Sequence, residues 1–165
     1  TGQVESVEIQ VAPGLELKGH QRQIVAAVLD LLQGKVTRQK MSRNFWALDA
    51  VFEDKMKKAV GIDEVDAQWW GLKAMMRDID MISHKVTAVE PKRVELEVEN
   101  RYVLRHTPAS MGTVVKSVVV IETDEEGKIK KVLDKQDGKL PQGKLSEYFR
   151  RATAISRAKL VDIPK

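Results

Sequence analysis

The chain has 165 residues and contains no cysteine. This absence excludes disulfide bonds, thiolate zinc sites and cysteine nucleophiles together, and it suits a reducing compartment. No apolar run approaches the ~20 residues that a membrane-spanning helix needs. The first residues, TGQVESVEIQ, lack the basic and apolar regions of a signal peptide. We therefore expect a cytoplasmic protein without a membrane segment.

Most of the chain has almost no net charge, and the basic excess lies in its last segment. Residues 139–165 hold seven basic and two acidic residues, a net charge of +5. The rest of the chain holds 21 basic and 22 acidic residues, a net charge of −1. A nucleic-acid surface is expected to involve the body of a domain rather than its last segment alone. The sequence therefore does not favour a nucleic acid as the partner.

Sites for metals and phosphates have no signal in the sequence. His20, His84 and His106 are far apart and do not show the spacing of metal ligands. Neither a glycine-rich phosphate loop nor the nucleophile elbow of a hydrolase is present. We expect no metal ion and no cofactor.

What the chain does contain, in its first part, is apolar residues at helical spacing. Residues 1–14 predict an irregular arm, and residues 15–32 predict a first helix. A second helix is expected after Thr37, which would cap it, with Met41 and Leu48 on one apolar stripe.

A third helix is expected after a short strand at residues 50–54 and a loop at residues 55–60. Asp63 is the expected N-cap of this helix, and acidic residues follow in its first turn. Its apolar stripe continues through Met76 to Ile79.

The apolar period changes from 3.6 to two after Ser83, which predicts strands. A hairpin turn is expected at DEEGK, residues 124–128, and a last helix at residues 144–160. Helices followed by strands are typical of an α+β domain, with the helices on one face of a curved antiparallel sheet. Such a sheet and its helices can enclose an apolar cavity. The predicted strands cover residues 84–90, 94–104, 114–123 and 129–134.

Three sequence motifs carry a resemblance to a known superfamily. Residues 46–54 read W-x-x-D-A-V-F-E-D, Gly61 precedes the expected third helix, and residues 127–134 read GKI followed by a terminal aspartate. On these motifs the chain resembles the nuclear transport factor 2-like superfamily and its SnoaL-like branch. The endings DGKLPQG…FRR and VDIPK are similar to those of uncharacterised, mainly fungal, SnoaL-like proteins.

The resemblance implies a cone-shaped, cystatin-like α+β domain of three helices packed on a curved antiparallel sheet. This SnoaL-like domain would cover residues 15–138, between the arm at residues 1–14 and a basic C-terminal helix and tail at residues 139–165. Members of the superfamily commonly pair through their sheets, so we expect a homodimer. The strand at residues 114–123 is apolar on both sides, and the interface would cover the side that does not face the cavity, unless the C-terminal helix covers it instead.

The superfamily contains isomerases, cyclases, dehydratases and many non-catalytic binding modules. The resemblance therefore implies a protein that binds a small apolar or aromatic molecule in a central cavity, with or without cofactor-free acid/base chemistry. The alternative is a non-catalytic interaction module that uses the sheet face or the basic C-terminal helix.

Two carboxylates are the candidate catalytic residues. Asp54 matches the position of the catalytic base of ketosteroid isomerase, and Asp134, near the end of the last strand, would complete a pair for acid/base work. The structural alternative for Asp54 is a carboxylate that caps the following loop through backbone N–H groups. The first helix has no tyrosine for an oxyanion hole, so a direct copy of the isomerase is not expected.

Further side chains are candidates for binding a ligand. Asn100 is the polar member of an apolar strand face, and Tyr102 follows on the same face. A buried amide needs hydrogen-bond partners, which a ligand or a helix backbone would provide. For the tryptophans, ordinary core packing is the alternative to a ligand contact. The remaining candidates are Trp46, Trp69, Trp70 and His84.

Overall fold

The computed structural model describes residues 8–55 and 57–136, so the expected C-terminal helix lies outside the described residues. The described residues form two α-helices and six β-strands. In chain order they are α1 Gly19–Leu32, β1 Trp46–Glu53, β2 Lys58–Val60, α2 Ile62–Met75, β3 Met76–Glu90, β4 Arg93–Leu104, β5 Thr113–Thr123 and β6 Ile129–Gln136.

The six strands form one sheet in the order β2-β1-β6-β5-β4-β3. Strands β3 to β6 form the expected antiparallel meander, and β1 pairs with β2 antiparallel. Strand β1, however, pairs with β6 in parallel. The prediction of an antiparallel sheet is therefore wrong for β1, which reaches β6 only after a long crossover through α2 and four strands, β2 to β5.

The described residues contain two α-helices, so the prediction of three helices is wrong. Residues 37–45 form successive turns, in which Thr37 caps only the backbone N–H of Lys40. Met41 is buried as the helical stripe required, but Leu48 is 57% exposed on β1. Backbone pairing of Trp46 with Ile129 starts β1 at that point and leaves too little chain for a helix.

Helix α2 is shorter than its apolar stripe predicted. It starts from Gly61, whose φ of 88° suits glycine, so Asp63 lies in the first turn instead of at the N-cap. The helix ends at Met75, and Met76 and Ile79 belong to β3, where they pair with Leu104 and Tyr102. Pairing with the long strand β4 thus overrides the helical period of this segment.

Both helices pack against one face of the sheet, which we call the inner face. On β4 the alternation is clear, since Leu96, Val98 and Asn100 are buried while Glu97 points to the other, outer face and is exposed. Three register shifts interrupt the pairing of β3 with β4 and bend the sheet around the helices. Neither described helix is long and apolar enough to cross a membrane.

Candidate functional site

The structure brings the two predicted carboxylates together on the inner face. Phe52 pairs with Val132 in the parallel ladder between β1 and β6, and both side chains are buried. The same register places Asp54, just after β1, beside Asp134 near the end of β6. Asp134 is only 7% exposed and Asp54 is half-buried.

Asp134 is the most perturbed carboxyl of the site. Burial and, second, the negative charge of Asp54 raise its pKa to about 7, against hydrogen bonds from Ser117 and Gln136 and the positive charge of Lys57. Its Oδ1 has no hydrogen-bond partner within the described part of the chain. A carboxyl with a pKa near neutrality can both accept and return a proton, as a general base or acid must.

Lys57 belongs to the same cluster, and sequence analysis missed it. The Asp54 N–H donates to the Lys57 carbonyl at 3.0 Å, and the Lys57 N–H donates to Asp54 Oδ1 at 2.9 Å. Asp54 therefore does cap the following loop, and the closed turn returns Lys57 to the inner side of β1. The sequence predicts only a loop at residues 55–60, and a loop carries no local pattern that singles out one of its lysines.

Lys57 lies close to an aromatic ring as well as to the two carboxylates. Its Nζ lies 6.0 Å from the centroid of the Phe52 ring. Burial lowers the pKa of Lys57 to about 8, although the negative charges of Asp54 and Asp134 act to raise it. The ammonium form is therefore less favoured here than on an open surface.

Asn100 and Tyr102 form a second polar group on the inner face. Asn100 Nδ2 donates to the Leu32 carbonyl at 3.1 Å and to the Tyr102 hydroxyl at 3.1 Å. Burial raises the pKa of Tyr102, the hydrogen bond from Asn100 lowers it in part, and the charge of Asp134 raises it. Tyr102 thus stays protonated, and its hydroxyl is held by Asn100, which is itself anchored to the end of α1.

The three tryptophans lie in different surroundings. Trp69, 1% exposed, packs edge-to-face on Phe52 with ring centroids 5.3 Å apart, and its Nε1 has no hydrogen-bond partner among the residues described. Trp46 Nε1 donates to the Lys40 carbonyl, and Trp70 Nε1 donates to Asp66. Of the three, Trp69 is the one that packs on Phe52, and the Phe52 ring also lies near the Lys57 Nζ of the charged cluster.

His84 is not brought to the carboxylates. It lies on β3, three strands and roughly 14 Å along the sheet from β6. Its Nε2 accepts a hydrogen bond from the Gln10 N–H at 3.1 Å, which ties the N-terminal arm to the sheet edge. Burial lowers the pKa of His84, against a backbone hydrogen bond with Glu8.

The outer face of the sheet carries a groove of about 600 Å³. Strand pairing places Lys85 opposite Glu97, and Glu99 opposite Lys116. The charges of this outer groove therefore alternate in sign from β3 to β5. Its lining includes Lys85, Glu97, Glu99, Lys116, Val118 and Lys135.

Solved structures share this fold at low sequence identity. A steroid delta-isomerase from Pseudomonas aeruginosa aligns over 89% of this chain and 98% of its own, with 18% identity and a TM-score of 0.58. A candidate isomerase of the SnoaL-like family from Agrobacterium tumefaciens aligns over 72% of this chain and 98% of its own, with 12% identity and a TM-score of 0.54.

A de novo designed protein with a curved β-sheet is equally similar, at 17% identity and a TM-score of 0.55 over 79% of this chain and 97% of its own. No family model and no curated protein sequence matches the chain. These similarities establish the fold, whereas an activity has to be inferred from the residues of the site. The chain therefore has the fold of solved structures described as cystatin-like and as NTF2-like.

Proposed function

We propose that the chain is a SnoaL-like protein that binds a small apolar or aromatic molecule between its helices and the inner face of the sheet. We propose further that it moves a proton on that molecule without a cofactor. The observation that carries the proposal is Asp134, a buried carboxyl with a pKa of about 7 beside Asp54 and Lys57. A pKa near the working pH suits a general base.

The inner face near this carboxyl would offer an apolar ligand aliphatic and aromatic side chains. Leu96 and Val119 are fully buried on the inner face, and Trp69 and Phe52 add aromatic surface. Buried polar atoms usually have hydrogen-bond partners. Within the described chain, Trp69 Nε1, Asn100 Oδ1 and Asp134 Oδ1 have none, and a ligand would offer partners to such atoms.

Proton transfer at a carbon beside a carbonyl group fits these side chains. Asp134 would take the proton from the carbon, and the C–H electrons would form the double bond of an enolate. The Tyr102 hydroxyl, kept protonated by its raised pKa, would donate a hydrogen bond to the enolate oxygen. Return of the proton from Asp134 to another carbon would complete an isomerisation.

Asp54 has a supporting role in this scheme. The expectation that Asp54 is the base came from its matching position, but its Oδ1 already accepts the Lys57 N–H. Its negative charge raises the pKa of Asp134 and so strengthens that carboxylate as a base. The steroid delta-isomerase and the candidate SnoaL-like isomerase are consistent with a reaction of this class.

Hydrogen–deuterium exchange in a panel of aryl ketones tests the proposal. The intact protein should catalyse exchange of the protons beside the carbonyl, measured by NMR in D₂O, with a rate that rises through pH 7. Asp134→Asn should slow it about 100-fold or more, because general base catalysis contributes about 10²–10⁴-fold. The exposed Glu97→Gln is the matched control and should exchange as the natural protein does.

Two results would contradict the proposal. Equal exchange rates in the Asp134→Asn variant and the natural protein would remove Asp134 as the base. Quenching of tryptophan fluorescence by ketones that undergo no exchange would indicate a ligand-binding module without catalysis.

A further inference from the structure

Asp54, Lys57 and Asp134 form a charged cluster on the inner face, which we call the inner cluster. The proposed proton transfer gives no role to Lys57. The turn that links it to Asp54 holds its backbone by two hydrogen bonds, so the side chain starts from a fixed point. The neighbouring Lys55 and Lys58 are exposed, whereas Lys57 is half-buried with its Nζ near the Phe52 ring. The chain thus directs one lysine of this segment inward.

The surroundings of Lys57 are those that activate an amine. An amine attacks carbonyl carbons only in its neutral form, and burial of the side chain favours that form. Imine formation also needs a group that gives and takes protons, and Asp134 lies close enough for its charge to act on Lys57. A desolvated amine and a protonatable carboxyl therefore occur at one site.

We propose that Lys57 forms an imine with an aldehyde or ketone bound at the inner face. The inference rests on the proposed function, and it narrows the substrate class to carbonyl compounds. A protonated imine withdraws electrons from the adjacent carbon more strongly than a ketone does. The proton that Asp134 removes would then leave more readily.

The steps balance without an oxidant or a reductant. The Nζ lone pair bonds to the carbonyl carbon, and the C=O π electrons move to oxygen, which takes a proton from the Asp134 carboxyl. The nitrogen of the resulting carbinolamine loses a proton to the Asp134 carboxylate. Asp134 then protonates the hydroxyl, which leaves as water with its bonding electrons while nitrogen forms the C=N bond.

Protonation sets the expected selectivity among lysines. At pH 8 about half of the Lys57 side chains are neutral, against roughly 0.3% of an amine with the ordinary pKa of 10.5. Lys57 should therefore react on the order of 100-fold faster than an exposed lysine at this pH.

Benzoylacetone, an aromatic 1,3-diketone, is a suitable probe. Its imine rearranges to a conjugated enaminone, which needs no trapping reagent and absorbs in the near ultraviolet. The full chain at pH 8 should gain the mass of one diketone less one water, and peptide mapping should place the adduct on Lys57. Lys57→Met should lose this adduct, and Lys58→Met, the matched exposed control, should keep it.

Several results would overturn the inference. They are an adduct spread over Lys55 and Lys58, an unchanged adduct in the Lys57→Met variant, and no adduct at saturating diketone. Mapping the adduct on the natural protein decides the question even where Lys57→Met does not fold. Ketone exchange that is lost in Asp134→Asn while no adduct forms would remove the imine and leave the proposed function standing.

Discussion

The two faces of the sheet carry the same kinds of charged side chain under opposite conditions. On the outer face, Lys85 stands opposite Glu97 and both are exposed to solvent. On the inner face, Asp54, Lys57 and Asp134 lie half-buried or buried among aromatic and aliphatic side chains. Each face of the sheet thus carries a lysine close to at least one carboxylate.

The difference shows how burial converts an ordinary charge into a reactive group. In water, an opposed cross-strand pair contributes about 0.2–1 kcal/mol, and salt screens it. On the inner face, desolvation opposes the charged form and moves the pKa of Asp134 upward and that of Lys57 downward. The outer charges therefore stay in contact with water, whereas Asp134 and Lys57 on the inner face titrate near neutral pH.

The largest difference between the two faces is expected in how the free energy of unfolding depends on pH. The pKa of Asp134 is raised from 3.8 to about 7, so its protonated form stabilises the fold below pH 3.8 and this stability is lost as pH rises to about 7. Asp134→Asn cannot ionise. Its free energy of unfolding relative to the natural protein should therefore increase between pH 4 and 8, on the order of 4 kcal/mol.

Urea denaturation at a series of pH values measures this difference. Glu97→Gln on the outer face is the control, and its stability should stay within about 0.5 kcal/mol of the natural protein at each pH, as for most exposed sites. A constant difference between Asp134→Asn and the natural protein across the series would remove the distinction between the faces.

Two adjacent valines of β5 compare packing on the faces directly. Val119 is fully buried on the inner face, whereas Val118 is half-buried and lines the outer groove. Val119→Ala should lower the free energy of unfolding by about 2–3 kcal/mol, from lost apolar burial and the cavity left behind. Val118→Ala should cost less than about 1 kcal/mol. Equal losses in chemical denaturation would mean that the outer groove is covered as well as the core.

Neighbouring residues of β4 compare a buried amide with a surface carboxylate. Asn100→Ala removes the donors to the Leu32 carbonyl and the Tyr102 hydroxyl, and leaving such buried groups unpaired costs about 1–3 kcal/mol. Glu99→Gln, on the outer face, should cost about 0.5 kcal/mol or less. Thermal unfolding of both variants tests this, and a Glu99 effect as large as that of Asn100 would refute it.

The smallest effect is expected for the outer pair of Lys85 and Glu97. A double-mutant cycle with Lys85→Met and Glu97→Gln should give a coupling energy of at most about 1 kcal/mol. This coupling should shrink in 1 M salt, where the Debye length falls to about 3 Å. Coupling that persists at high salt would show that the groove shields its charges as the inner face does.

Local sequence patterns predicted most of the helices, strands and turns that depend on neighbouring residues alone. The period of two over β4 is confirmed, and so is the strand at β5. The hairpin at residues 124–128 is also confirmed, where Asp124 Oδ1 accepts two backbone N–H groups and Gly127 has a φ of 77°. Helix α1 also ends before Gly34, whose φ is 75°. Each of these depends on residues within a few positions of one another.

Long-range pairing decided what these patterns missed. The apolar stripe around Met41 resembled a helix, and only the pairing of Trp46 with Ile129 shows why the chain leaves it. Met76 and Ile79 fitted a helical period as well as a strand, and β4 decided between them. A local period cannot record a partner that lies about 25 to 80 residues away.

The candidate site divides in the same way. The sequence by itself determined that Asp54 and Asp134 lie near the ends of predicted strands, and its resemblance pointed to Asp54 as the base. The tertiary structure decided that these strands are neighbours, that Asp134 is buried, and that the turn after Asp54 carries Lys57 inward. The physical reason is that a pKa depends on burial and on nearby charges, which long-range packing sets.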